Sequence, residues 1–393
     1  MTAFPSYDAA LLAALDIQAN AMLGVFAAKN YVRVEPPILQ PAELFLDRSG
    51  EEIRRRTFVL DDGKGRELCL RPELTLPVCR MHLEARGKYP ARLCAHGPVF
   101  RIPQSARTGA EARPSQFLQT GVECLGVKNR ESADLEVLAL AVEAVRAAGL
   151  KQFTLRIGDV ALFRELVDAL DVPVEWRGQL KRHFWRPDYF KELLERLSGE
   201  RNGPVNPYVA EIAAAGPKQA RAAAERALDS LGAAPLGGRT REEIVERLLE
   251  QAAEAAAIKL DKAAVRLIEN VLSVEGPARK SIARIEKLAR GARVKLGATL
   301  ATMETRMDAL ARLKLGDGQV NFSARFGRNI EYYTGFVFEL WSSDTEGAVQ
   351  IAGGGRYDTL MRSLGAAKDI PAVGCAIRGE RVLAARAATG ATR

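Results

Sequence analysis

The spacing of apolar positions changes along the chain, and the changes divide it. In SYDAALLAALDIQANAMLGVF, Leu11, Leu15, Met22 and Phe26 recur at helical spacing behind Ser6, a residue suited to N-capping, and predict an amphipathic helix. YVRVEPPIL follows as a short strand, which Pro36 and Pro37 confine to a sheet edge because proline cannot donate to a central ladder. TFVL and ELCL lie on either side of DDGKG and predict a hairpin. VFRI, QFLQTGVECLG and FTLRIGDV read as further strands, with a helix from about Glu131 to Ala148 before the last of them.

From Asp171 to Lys295 the strand pattern fades and Ala, Glu and Arg dominate. Thr240 and Glu243 form a capping-box pattern ahead of EIVERLLEQAAEAAA, so 171–295 is predicted to be a helical insertion. The strand pattern returns in QVNFSARF, YYTGFVFELW, VQIAGGGRYDTLM and GCAIRGERV. GGGRYD lacks the lysine and the spacing of a phosphate loop and reads as a glycine-rich turn. Locally joined strands with helices at their sides predict an α+β fold on an antiparallel sheet, with 1–170 and 296–393 forming one domain around the insertion.

Composition narrows the function classes. Lys and Arg number 57 against 49 Asp and Glu, a net charge of +8 that permits contact with nucleic acid or phosphorylated ligands, yet no basic-and-aromatic run suits single-strand stacking. No apolar run is expected to span a bilayer, and the N-terminus lacks the order of a secretory signal, so no membrane is expected and the location is expected to be cytoplasmic. The five cysteines contain no CxxC pair and the three histidines are far apart, which predicts neither disulfides nor a metal site.

Several short stretches carry candidate chemistry. Strand alternation puts Gln119, Gly121 and Glu123 on one face, either a floor for a small ligand or a solvated sheet face. Glu73 and Thr75 share a side in RPELTLPVCR, an arrangement that suits an ammonium group or a capped helix N-terminus. Arg101 in GPVFRI can pair with a carboxylate or phosphate, or form a surface salt bridge. Arg328, Tyr332 and Tyr333 precede an apolar strand, where the tyrosines form a pocket wall or part of the core. In GCAIRGERV, Gly374, Ala376 and Gly379 keep the backbone thin while Arg378 places a long cation in its middle.

In this order the segments resemble the catalytic domain of class II histidyl-tRNA synthetases over nearly the whole chain. RPELTLPVCR is similar to the segment that holds the amino acid's ammonium, GPVFRI through QFLQTGVECLG to motif 2, GRNIEYYTGFVFEL to the histidine-specific segment, and PAVGCAIRGERV to motif 3. The resemblance implies a class II synthetase-like fold and a histidine site in which Glu73, Thr75 and Gln119 hold the ammonium. Glu123, Tyr332 and Tyr333 would border the imidazole, with Arg101 and Arg328 near the carboxylate or an α-phosphate.

The nucleotide half departs from that pattern. Ile102 and Pro103 follow Arg101 where the synthetases place a glutamate two residues on, the following loop PQSARTGAEARPS is longer, and Arg378 and Asn329 stand at glycine positions. Glu380 and Arg381 keep the motif 3 pair, so Pro103, Arg378 and Arg381 mark a degenerate nucleotide site. About a dozen residues follow motif 3, so no anticodon-binding domain is expected.

These departures resemble the ATP phosphoribosyltransferase regulatory subunit family. That resemblance implies no catalytic residues and no cofactor, a short-form catalytic subunit as partner, and a homodimer within a hetero-octamer, with YVRVEPPIL at the dimer contact. Histidine is the implied effector, and tRNA is not an expected partner. A truncated synthetase that still forms histidyl-adenylate and an RNA-binding paralogue are the alternatives.

Overall fold

The computed structural model describes residues 6–46, 51–103, 115–170, 172–184, 187–199, 206–230, 241–256, 259–315, 318–326, 332–344 and 347–390. The chain forms two compact units: 1–162 with 273–287 and 297–393, and 163–272 with 288–296.

The larger unit is built on strands β1 (Val32–Arg33), β2 (Leu39–Pro41), β3 (Val59–Asp61), β4 (Glu67–Leu70), β5 (Ala91–Phe100), β6 (Gln116–Leu125), β7 (Thr154–Asp159), β8 (Glu275–Pro277), β9 (Val320–Ser323), β10 (Phe336–Asp344), β11 (Gly347–Arg356) and β12 (Ala372–Arg378). Nine of them make one sheet in the order β1-β5-β6-β12-β11-β10-β7-β9-β8, and β2-β4-β3 make a second. The central run from β5 to β7 is antiparallel throughout, while β1 on β5 and β9 on β7 are parallel. The proline-flanked β1 stands at the sheet edge, and β3 and β4 form the hairpin around DDGKG. Strand β8 adds the opposite edge from within the Ala, Glu and Arg-rich stretch.

The first helix, Ala9–Ala27, is capped by Asp8, whose Oδ1 accepts from the Leu11 N–H at 2.8 Å, so Ser6 lies outside it. By length and composition alone this helix could cross a bilayer, which corrects the reading that no run was long and apolar enough. Here one face of it packs into the core. Leu15, Met22 and Phe26 are buried, and the Gln18 Nε2 donates to the Gly379 carbonyl at 2.8 Å.

GGGRYD is not a turn. Gly353, Gly354, Gly355 and Arg356 continue β11 between β10 and β12. A side chain at Gly354 would strike the Gly374 carbonyl oxygen, so close approach of the neighbouring strand, not a bend, requires glycine there.

The same unit holds a buried ionic network that joins helices to the sheet. Asp134, on helix Arg130–Ala147, is fully buried and accepts from Arg306 Nη2 at 2.8 Å and from Arg356 Nε at 2.9 Å. Arg306 Nη1 also reaches Asp159 Oδ2 at 2.5 Å, and Arg356 Nη1 reaches Asp358 Oδ1 at 2.7 Å. Each carboxylate is met by a guanidinium, the condition under which buried charge is tolerated.

The smaller unit is helical among the described residues. Phe163 stacks on Phe184 with centroids 4.5 Å apart and meets Phe190 edge-on. A separate cluster packs Val209, Ile212, Leu228, Val245 and Leu248 with several alanines, whose small side chains let the helices approach closely.

Candidate functional site

One face of the central sheet supplies the floor of a cleft. The β6–β12 register pairs Gln119 with Arg378, Gly121 with Ala376 and Glu123 with Gly374, so these six share a face. The alternation in QFLQTGVECLG therefore makes a floor and not a solvated surface: Gln119 and Glu123 are both buried. The opposite face carries Thr120, whose hydroxyl meets His96 Nδ1 at 2.8 Å. Glu73, Thr75, Arg101, Gln119, Tyr332 and Tyr333 all line the cleft, together with Tyr357 and Arg378.

Glu73 takes the helix-start reading. Its Oε2 accepts from the Thr75 N–H at 2.7 Å and its Oε1 from the Leu76 N–H at 2.8 Å, which anchors the start of helix Thr75–Glu84. Pro77 falls in the first turn, where its missing N–H is not needed. The carboxylate also faces the cleft. Burial raises its pKa, outweighing those two amide bonds and the charge of Arg101.

Glu123 sits one side chain behind the cleft, where the Tyr357 hydroxyl donates to its Oε2. A side chain at Gly374 would overlap that carboxylate, so only glycine leaves room for it. Burial, with a smaller contribution from Glu73, pushes the Glu123 carboxyl up to about 8, against the lowering effect of hydrogen bonds from Tyr357 and Thr75. Two buried acidic groups thus lie close together at one end of the cleft. Cationic or donor groups suit that end.

Arg101, whose charge acts on Glu73, and Arg378 bring positive charge to the same cleft. Arg101 is buried, its Nε donates to the Pro72 carbonyl at 2.8 Å, and its guanidinium carbon lies 5.3 Å from the centroid of the Phe117 ring. Arg378 approaches the same ring, at 5.2 Å. Gln119 Oε1 is buried without a hydrogen-bond partner in a position that lines the cleft. An unpartnered buried carbonyl is costly, and a ligand N–H would satisfy it.

Arg328, and Asn329 beside it, lie outside the described residues. Pro103 is half-buried and does not line the cleft. Arg381 is not among the lining residues, and its Nη1 donates at 2.9 Å to the carbonyl of Gln350, which does line the cleft, while Glu380 accepts from the Leu118 N–H and the Tyr7 hydroxyl. Tyr332 and Tyr333 pack ring to ring at 5.1 Å, and Tyr332 meets Tyr357 edge-on at 5.5 Å. The sequence reading missed Tyr357, Phe117 and Gln350. Alternation from Gln119 places Phe117 on its face, whereas Tyr357 was hidden by reading GGGRYD as a turn.

Among the described residues no cluster of His, Cys, Asp and Glu is suited to a metal ion. The five cysteines are buried and form no disulfide.

The histidyl-tRNA synthetase family matches residues 12–266 and 226–382 of the chain. The ATP phosphoribosyltransferase regulatory subunit of Allorhizobium ampelinum is 37% identical over 372 residues, covering 94% of this chain and 97% of that relative. Its namesake from Rhizobium meliloti is 36% identical over 377 residues, with the same coverage of each. Among solved structures, an ATP phosphoribosyltransferase regulatory subunit/histidyl-tRNA synthetase from Bacillus halodurans superposes with a TM-score of 0.68 at 22% identity, covering 98% of this chain and 82% of the other. That likeness shows a shared class II synthetase-like fold.

Proposed function

The chain belongs to the ATP phosphoribosyltransferase regulatory subunit family, within the histidyl-tRNA synthetase family, and from that premise we propose that its cleft is a histidine site that governs a separate catalytic subunit. The chain is the regulatory subunit of ATP phosphoribosyltransferase and is not itself catalytic. Its partner is the catalytic subunit, which condenses ATP with phosphoribosyl pyrophosphate in the first step of histidine biosynthesis.

The observation that carries the ligand assignment is the pairing of the unpartnered Gln119 Oε1 with the buried Glu73 carboxylate in one cleft. Both are acceptors, and an α-ammonium brings three donors. Tyr332, Tyr333 and Tyr357, with Glu123 behind Tyr357, form the side of the cleft assigned to the imidazole. The cleft as it stands has about 30 Å³ of free volume, room for little more than ordered water. Histidine entry therefore requires the lining to rearrange. A ligand that favours one arrangement over another is what feedback control needs.

The assembly we propose is a cytoplasmic hetero-octamer of synthetase-like homodimers and short-form catalytic subunits, without tRNA. Strand β1 and the segment after it support the dimer contact, since Val32, Ile38 and Leu39 are apolar and 62%, 41% and 50% exposed.

The test is reconstitution with the purified short-form catalytic subunit. Adding this chain is expected to raise phosphoribosyl-ATP formation and to make it sensitive to histidine, and Gln119→Ala is expected to remove the sensitivity. No activation by the chain, or full histidine sensitivity in the variant, would contradict the proposal.

A further inference from the structure

Arg378 interrupts a stretch of small residues and looks at first like damage to a nucleotide site. Its placement suggests a positive use. In the β6–β12 register Arg378 directly faces Gln119, the residue with the unpartnered buried carbonyl. Directly opposed residues in an antiparallel pair lie about 4.5–5.5 Å apart at Cα and carry their side chains on one face. A lone acceptor and a guanidinium are thus neighbours on one cleft wall. An α-amino acid carries its ammonium and its carboxylate on a single carbon, and so presents the complementary pair at the same short separation.

The surroundings fix the orientation. Arg378 lies over Phe117, as does Arg101, so the two guanidiniums gather at one end of the cleft. A guanidinium presents a planar fork of N–H donors that matches a carboxylate bidentately. Glu123 lies behind Tyr357, four residues along β6 from Gln119 and away from Phe117, and offers no cation to a carboxylate. The carboxylate of a bound zwitterion is drawn toward Phe117, where both guanidiniums lie.

We propose that Arg378 is a specificity-determining residue of the histidine cleft, pairing with the free α-carboxylate and so selecting histidine over derivatives in which that carboxylate is absent or masked. The inference rests on the assignment of the cleft to histidine. It turns the residue that spoils a nucleotide site into one that reads the free amino acid, since an activated or esterified histidine has no free carboxylate to offer.

The experiment is calorimetric titration of the chain, alone and assembled with the catalytic subunit, using histidine, histidine methyl ester and histidinol. The wild-type chain is expected to bind histidine about 10- to 100-fold more tightly than histidinol, the range of a charge-assisted hydrogen bond. Arg378→Gln is expected to cut that ratio about tenfold by weakening histidine while leaving histidinol affinity unchanged, and Arg378→Lys, which keeps the charge without the planar fork, to fall between. An unchanged ratio in both variants, or equal weakening of all three ligands, would overturn the role of Arg378 and leave the histidine site standing. If the wild-type chain binds neither histidine nor histidinol in either form, the site assignment itself fails. Should Arg378→Gln not fold, the Arg378→Lys ratio decides the matter.

Discussion

Replacing Glu123 by glutamine changes one charge in the core and little else. Gln keeps a carbonyl oxygen that can accept from Tyr357 and Thr75, and it has nearly the same shape. The Glu123 carboxyl, ordinarily at 4.5, is pushed up to about 8 by burial. Between those values the native state holds a proton that the unfolded chain has released, so stability falls as pH rises through this window. At about 1.4 kcal/mol per pH unit, the folding cost is about 1 kcal/mol at pH 5, about 3 at pH 7 and about 5 at pH 9, where it levels off. Glu123→Gln removes this dependence. Relative to its effect at pH 5, the substitution should gain about 2 to 3 kcal/mol at pH 7 and about 4 at pH 9. Any constant cost of the new amide group cancels in those differences.

Hydrogen exchange of the β6 peptide, corrected for the intrinsic pH dependence of exchange, reads the opening of this unit separately from the helical one. A difference between wild type and variant that stays flat within about 0.5 kcal/mol from pH 5 to pH 9 would refute the reasoning. So would a variant that becomes relatively less stable as pH rises.

Three further outcomes follow from the same geometry. Gly374→Ala drives a methyl group into the Glu123 carboxylate and should cost about 1–3 kcal/mol by hydrogen exchange while abolishing histidine binding; unchanged binding would show that Glu123 is not held where it is described. Asp134→Ala leaves Arg306 and Arg356 facing each other without their shared carboxylate and should cost about 3–5 kcal/mol in urea unfolding, so a loss below about 1 kcal/mol would remove the network as a stabilising element. Histidine binding at pH 7 should release a fraction of a proton, because the ammonium held by Gln119 and Glu73 adds positive charge in front of Glu123 and lowers its raised carboxyl, and the release should decline above pH 8. Calorimetry in buffers of different ionisation enthalpy measures this, and equal release by Glu123→Gln would rule Glu123 out as the source.

Much of the cleft was legible because it is written in local alternation. Gln119, Gly121 and Glu123 declare a common face, and their partners on β12 repeat the small-residue pattern at Gly374 and Ala376. The edge position of β1 could be read from its prolines. Helix Thr75–Glu84 was harder, since Glu73 and Thr75 fit a strand face as well as a helix start, and the amide bonds to Glu73 decide it.

The features that could not be read depend on distant partners. The glycines of GGGRYD look like a turn by propensity, yet β12 and β10 crowd them into a strand. Asp134 meets Arg306 and Arg356, 172 and 222 residues away, and nothing local marks it as buried. The first helix tells a related story: its apolar residues would suit a bilayer, and only its packing and the Gln18 bond to Gly379 show the core role they fill here.

The central claim is a chain that keeps an amino-acid site and performs no adenylation. Histidine-dependent ATP–pyrophosphate exchange, measured on the same preparation in which histidine binding is followed calorimetrically, tests it most directly. The account predicts histidine binding with no exchange above background. Robust exchange that depends on histidine would contradict it and make this chain a working adenylating enzyme.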